Sequence, residues 1–309
     1  MKIIDKIVVS GKEKGRYKAF PTVSKCKNII IIAYRDGDID FTKPHGKNGC
    51  VKISKTKDLK HFQEIDTPFC YHELDAILSN IDERLFLLTR SYEYKKMNDV
   101  YMSKFDCQDL PNRRSKIAFD SADFTGFGHI FKHNEKIYMT AYGTYKGIPT
   151  PMIFEYSKER KIKGLITPNG HTPILNETSI IKKGNRFISV MRSQEPSYDM
   201  FYSFSDNLEQ WSKPRKLGLL GHAPMLTELK NGKTALVFRD LNGDMPGVGL
   251  ALLDDEMNLQ YYNIAKYSGN LYNGGYADLV EIDNNKLFVV YYTCDEDNEP
   301  WIEGKIVEL

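Results

Sequence analysis

Apolar and polar positions along the chain fall into pairs of short β-type runs joined by turn residues, and the pair recurs. Each pair holds an apolar-alternating run, a polar or glycine-containing turn, and four or five apolar residues ending in Arg or Tyr. The first runs from Phe20-Pro21-Thr22-Val23 through Lys25-Cys26-Lys27-Asn28 to Ile29, Ile32 and Arg35. Later copies open at Asp75, Phe127, Glu177, Pro224 and Tyr276 and close fifteen residues on, at Arg90, Tyr142, Arg192, Arg239 and Tyr291. Asn231-Gly232 and similar pairs between β-rich runs are hairpin signals. The openings advance by roughly fifty residues, the length of a four-stranded blade. Six copies predict an all-β fold, a six-bladed β-propeller of four-stranded antiparallel blades, over one domain spanning residues 1–309.

Further strands are expected between the pairs, at Gly49 to Ser54 and Met200 to Phe204. They lead into loops ending at Phe62 and Trp211, where an aspartate can bond turn amides above a packed aromatic. The run from Trp301 to Leu309 is expected to close the last blade beside the N-terminal strand.

Composition narrows the function classes. With 43 basic and 41 acidic residues, the charge balance gives no reason to expect a nucleic-acid partner. The basic piece Lys158 to Lys163 reads as solvated surface. Cys26, Cys50, Cys70, Cys107 and Cys294 are scattered and odd in number, which signals neither a zinc site nor a disulfide framework; most are expected to be small core residues. The N-terminal run is too short and too charged for a secretory signal, and no transmembrane stretch is present. A cytoplasmic or leaderless protein is expected, or a secreted one whose leader has been removed. No phosphate loop, serine elbow or metal-ligand spacing appears, and no cofactor is indicated.

Equivalent positions in successive blades lie around a propeller axis, so the repeat also maps a site. Asp75, Glu177 and Tyr276 open units, with His222 just before the fifth, while Arg35, Arg90, Arg192 and Arg239 close them. A repeat kept for packing would place apolar or small residues at those positions, although inter-blade salt bridges are a competing role.

In these features the chain resembles the sialidase superfamily of six-bladed propellers. The resemblance is carried by Asn176-Glu177 with Arg192, by Leu220 to Pro224 with Arg239, by Gly275 to Leu279 with Tyr291, and by the Trp211 loop, similar to a degenerate Asp-box. It implies that Tyr276 attacks an anomeric carbon while Glu177 takes the phenolic proton, sialidases being the tyrosine exception to paired-carboxylate glycosidases. It also implies that Arg192 and Arg239 clamp a carboxylate.

The chain departs from that pattern in two places. The family has an arginine two residues before the first-blade proline, and here the position is Ala19, so a full clamp requires Arg35 or Arg90 to substitute. The acid/base aspartate expected after Arg35 aligns by count with His45, which can act as acid or base near neutral pH or bind a hydroxyl. Asp75 is the other acid/base candidate. Rim tyrosines such as Tyr142 and Tyr272 are suited to stacking on sugar rings. The leading expectation is an exo-glycosidase cutting a terminal acidic sugar from a glycan. The alternative is a non-catalytic carbohydrate-binding propeller.

Overall fold

The computed structural model describes residues 1–42, 45–70, 73–91, 99–117, 122–157, 161–168 and 170–309, with the side chains of 73–74 and 122–124 excepted. Of the basic piece Lys158 to Lys163, residues 158–160 lie outside the described residues. The described chain is all-β with one 3-10 turn at Leu271–Asn273, and its strands form antiparallel sheets, four of them four-stranded. No helix is long and apolar enough to cross a membrane among the described residues.

Two compact units can be described. The first comprises Met1–Ile117, Met245–Val248 and Ile264–Leu309; the second comprises Ala118–Asp244 and Gly249–Asn263.

In the first unit, Lys2–Ser10 pairs with Trp301–Glu308, which continues through Lys286–Thr293 to Ala277–Asp283. The expected closure of the last sheet by the N-terminal strand is therefore present. Arg16–Cys26, Ile29–Asp38, Lys47–Thr56 and Gln63–Asp66 form the next sheet; Glu73–Ile81, Arg84–Ser91, Val100–Asp106 and Ser115–Ile117 form the third.

The continuous apolar run from Ile29 has a physical explanation. Alternate side chains of a strand point to opposite faces, and both faces of this one are covered. Ile30, Ile32 and Tyr34 pack with Phe288, Val290 and Tyr292, whereas Ile31 and Ala33 pack with Leu78, Leu85 and Leu87. The second unit repeats the device: Phe187 and Met191 enter one core, Ile188 and Val190 another.

The second unit contains a sheet of Ala122–His133, Lys136–Tyr145, Ile148–Glu155 and Ile162–Leu165. Its other strands belong to a seven-stranded sheet, whose middle member is the long strand Arg215–Glu228. Arg215 and Lys216 pair with Tyr202 and Phe201, while His222 and Met225 to Glu228 pair with the Thr234–Asp240 strand. Gly218, with φ of 82°, lies at a register shift within the first half, between Lys216 and Leu220.

A recurring polar staple joins consecutive sheets of the first unit and ties Leu175–Lys183 to Arg215–Glu228 within the seven-stranded sheet. Asp278 accepts the Val23 N–H and the Thr22 hydroxyl, both at 2.8 Å. Thr22 Oγ1 in turn accepts the Leu78 N–H at 3.1 Å, and Ser179 Oγ accepts the Leu226 N–H at 2.9 Å. Each acceptor is buried, so these bonds satisfy amides that no ladder partner reaches.

The two loops after the third strands are built alike. Thr56 Oγ1 accepts the Leu59 N–H, and Asp58 Oδ1 accepts from Lys60 and His61, each at 2.9 Å. In the other loop Ser205 Oγ accepts from Leu208, and Asn207 Oδ1 accepts from Glu209 and Gln210. The amide-bonding residue there is Asn207 and not the aspartate Asp206, a correction to the sequence expectation. Of the cysteines, Cys26, Cys107 and Cys294 are buried, while Cys50 is half-buried and Cys70 is exposed.

Candidate functional site

In the first unit the strand Arg16–Cys26 bulges between Ala19 and Thr22, with Phe20 at a φ of 55°. A bulky residue in the left-handed region is a strained backbone, and bulges of this kind re-aim side chains. Phe20 is thereby placed between two of the sequence candidates. Its ring meets His45 edge-on at 5.1 Å and Tyr276 at 5.6 Å. Tyr276 also meets Tyr292 at 6.2 Å.

His45 lies in the loop after Ile29–Asp38, at a φ of 64°, followed by Gly46 at 68°. A Cβ on Gly46 would sit 2.2 Å from the Asp38 carbonyl, so glycine is required there. Tyr17, His45, Asp40, Thr42 and Phe41 line a cleft of about 540 Å³, with Asn270, Tyr272, Asn273 and Asn298 on its other walls. Phe41 and Tyr272 are its exposed aromatic faces.

Arg35 is buried behind this cleft, at 3% exposure. Its guanidinium crosses Gly37, lies 5.3 Å from the Tyr17 ring centre and donates to the Lys47 carbonyl at 3.4 Å. Burial lowers its pKa from the usual guanidinium value. Asp36 beside it is bound to Arg16 at 2.8 Å and Lys52 at 3.3 Å. Asp75 and Arg90 are direct cross-strand neighbours and grip each other with two bonds, Nε to Oδ1 at 3.0 Å and Nη2 to Oδ2 at 2.9 Å. The structure thus brings Tyr276 and His45 onto one ring and pairs Asp75 with Arg90.

In the second unit Glu177, His222 and Arg239 are buried and Arg192 half-buried. Glu177 Oε2 lies 3.1 Å from Arg192 Nη1 and accepts the Ala223 N–H at 3.0 Å. That amide is available because the chain bulges between His222 and Met225, with Ala223 at a φ of 53°. Arg239 Nη1 lies 3.2 Å from His222 Nδ1. A guanidinium only donates, so Nδ1 accepts and the ring hydrogen belongs on Nε2. Burial, with Arg192 and Arg239 adding to it, pushes His222 down to about 3, and the ring is neutral. His222 Nε2 is itself buried, with no hydrogen-bond partner among the described residues.

Sequence reasoning missed Tyr17, Asn270, Asn273 and Asn298. Their only local signal was the Asn270 to Asn273 segment, with Asn270 Oδ1 accepting the Tyr272 N–H at the start of the 3-10 turn.

No family model and no curated protein matches the chain. Solved structures do. A protein of unknown function from Dyadobacter fermentans superposes with a TM-score of 0.85 at 15% identity, covering 100% of this chain and 99% of that one. Trypanosoma rangeli sialidase in complex with sialic acid superposes with a TM-score of 0.70 at 11% identity, covering 97% of this chain but only 56% of the sialidase chain. A thermostable family-43 glycoside hydrolase superposes at 0.54 and 11% identity, covering 82% of this chain and 96% of that one. The fold is that of propeller glycosidases.

Proposed function

We propose that the chain is an exo-acting glycosidase that removes a terminal acidic sugar, sialic acid or a relative, from a glycan. It would be a single six-bladed domain, the Arg215–Glu228 strand serving one blade with each half. Tyr276 is the nucleophile and Glu177 takes its proton; Arg192 and Arg239 hold the sugar carboxylate, with Arg35 in the role vacated at Ala19. Arg90 sits held by Asp75 and acts at one remove. His45 is the acid/base group, and Tyr272 with Phe41 offers faces for sugar rings.

The observation that carries the reading is the second unit's cluster. A buried glutamate is bound to one arginine, and a second arginine is bonded to a histidine kept neutral. A guanidinium suits a sugar carboxylate because its planar fork of N–H donors matches the two carboxylate oxygens. The twin loops at Asp58 and Asn207 and the propeller-glycosidase fold support the same reading. The competing reading, a carbohydrate-binding propeller without turnover, is favoured by Ala19.

Hydrolysis of aryl glycosides of sialic, uronic and neutral sugars, wild type beside Tyr276→Phe, decides between them. Release from an acidic sugar that falls by about a thousandfold or more in the variant is expected. No release from any sugar, with glycan binding intact in both proteins, leaves the binding module.

A further inference from the structure

Hydrogen bonds in the 540 Å³ cleft form a chain whose direction can be traced from a backbone amide. The Asn270 N–H can only donate, and it meets Asn298 Oδ1 at 2.6 Å. That contact fixes the orientation of the Asn298 amide, and its Nδ2 donates to the Glu296 carbonyl at 3.1 Å. Asn273 Nδ2 donates to the same Asn298 oxygen at 3.5 Å, which turns Asn273 Oδ1 away from Asn298 and toward Tyr17. The Tyr17 hydroxyl, at 3.2 Å, gives its one hydrogen to that oxygen. Only lone pairs remain on the phenolic oxygen to face His45 Nδ1, 3.4 Å away, so the ring must donate there.

We propose that Tyr17, held by Asn273 and Asn298, is a positioning residue that fixes His45 as its Nδ1–H tautomer, so that Nε2 is the proton-accepting nitrogen. Free histidine mixes both tautomers, and the partner on one nitrogen decides the other. The phenol is itself held in place. Tyr17 is buried at 4% exposure, and the Arg35 guanidinium stacks on its ring. The backbone at His45 and Gly46 and the edge of Phe20 fix the imidazole plane. Two of the links are carboxamides, which have no titrating proton, so they keep their direction when the histidine gains one. Charged groups bordering the ring's surroundings are Asp40 on the cleft wall and Arg35 beneath Tyr17.

The assignment of a role rests on the glycosidase reading above; the tautomer does not. In turnover, the Tyr276 oxygen bonds to the anomeric carbon and passes its hydrogen to Glu177. Meanwhile the imidazolium, formed when Nε2 takes up a proton, gives that hydrogen to the departing glycosidic oxygen as that oxygen's bond to the same carbon breaks. The neutral Nε2 then takes a proton from water as the water oxygen bonds to the same carbon. The Tyr276 oxygen leaves that carbon and recovers its hydrogen from Glu177, so protons and bonds balance. Throughout, Nδ1–H stays on Tyr17.

Ring nitrogen NMR on the full-length, histidine-labelled protein tests this directly. The seven histidines are sorted by comparison with His45→Gln and His222→Gln. At neutral pH His45 is expected to show a protonated Nδ1 and a bare Nε2. Asn273→Leu frees the phenol hydrogen to turn onto Nδ1, and the tautomer inverts to Nε2–H. Asn273→Asp keeps an acceptor for Tyr17 and retains the wild-type pattern. Tyr17→Phe shifts His45 toward Nε2–H. The His222 signals, Nε2–H throughout, report that the fold has survived. If wild-type His45 carries Nε2–H, or if Asn273→Leu leaves it unchanged, the proposal is overturned. Where hydrolysis is measurable, Tyr17→Phe lowers kcat about tenfold to hundredfold with KM little changed. An equal fall in both Asn273→Asp and Asn273→Leu would point to packing alone and overturn the positioning role. Absence of hydrolysis in the wild type defeats the glycosidase reading and leaves the tautomer result standing.

Discussion

His45 and His222 make a controlled comparison, each described within its own compact unit. Both rings meet an aromatic edge, Phe20 at 5.1 Å and Tyr198 at 5.0 Å, and both are associated with a buried arginine. They differ in what faces Nδ1. His222 faces the guanidinium of Arg239, which has only hydrogens to offer, and the ring becomes a neutral donor through Nε2. His45 faces a phenol whose hydrogen is already committed to Asn273, and the ring becomes an acceptor through Nε2. One residue type gives opposite chemistry because its second-layer partner differs. Solvent follows the same division, since His222 is fully buried and His45 lines an open cleft.

The largest effect is expected from breaking the His222 side. Arg239→Met removes a buried charge-assisted bond and costs about 1.5–3 kcal/mol of stability. It also removes a cation that lowers His222, whose pKa moves up from about 3. Denaturant unfolding and a ring-NMR pH titration read the two effects separately. Arg239→Lys keeps a cation, and a pKa that rises as far in this variant would show that the guanidinium charge is not the cause.

A second effect, smaller, concerns pH. The folded-state pKa of His222 lies below its ordinary value of 6.5, so between about pH 6.5 and 3 the unfolded chain binds more protons. Stability contributed by keeping this ring neutral is therefore present above pH 6.5 and is lost as pH falls toward 3. Melting temperature followed from pH 7 to pH 4 should fall less steeply in His222→Gln than in wild type. Parallel curves would mean that His222 is not the group responsible.

The two histidines also mark how far sequence reading reached. The fifteen-residue offset between unit openings and closings was visible in the chain, and at the second copy it equals the cross-strand register, Asp75 lying opposite Arg90. Elsewhere bulges move Tyr142 opposite Thr125 and Arg239 opposite His222. The register at the second copy could have shown that Asp75 and Arg90 bind each other, a signal that was available and not used. His222 and Arg239 are likewise opposite each other, so their partnership follows from the hairpin. Tyr17 gave no such signal. Its hydrogen goes to Asn273, 256 positions away, and only closure of the first unit by its N- and C-terminal strands joins those segments. Asp278 and Ser179 were hidden differently. Each stands two residues after a candidate site residue, and the pattern does not tell a buried staple from a site carboxylate or hydroxyl. The shared strand Arg215–Glu228 was also illegible, because the change of partner from Leu220, opposite Asp199, to Gly221, opposite Asp240, leaves no turn signature.

The smallest effect is expected on the His45 side, from Tyr272→Ala. The ring is 49% exposed and lines the cleft, so its loss removes little packing. The local backbone keeps its bonds, since Asn270 still accepts the residue 272 N–H and the residue 272 carbonyl still accepts from Tyr292. The relay through Asn273 is built without the Tyr272 side chain, and the His45 tautomer should stay as in wild type. What is lost is an aromatic face for a sugar, about 0.5–1.5 kcal/mol, or roughly twofold to tenfold in KM. Steady-state kinetics, melting temperature and ring NMR on this variant separate binding surface from proton placement within the cleft. A change in kcat or in the His45 ring nitrogens, with KM unmoved, would mean that Tyr272 belongs to the relay and that the cleft does not divide in this way.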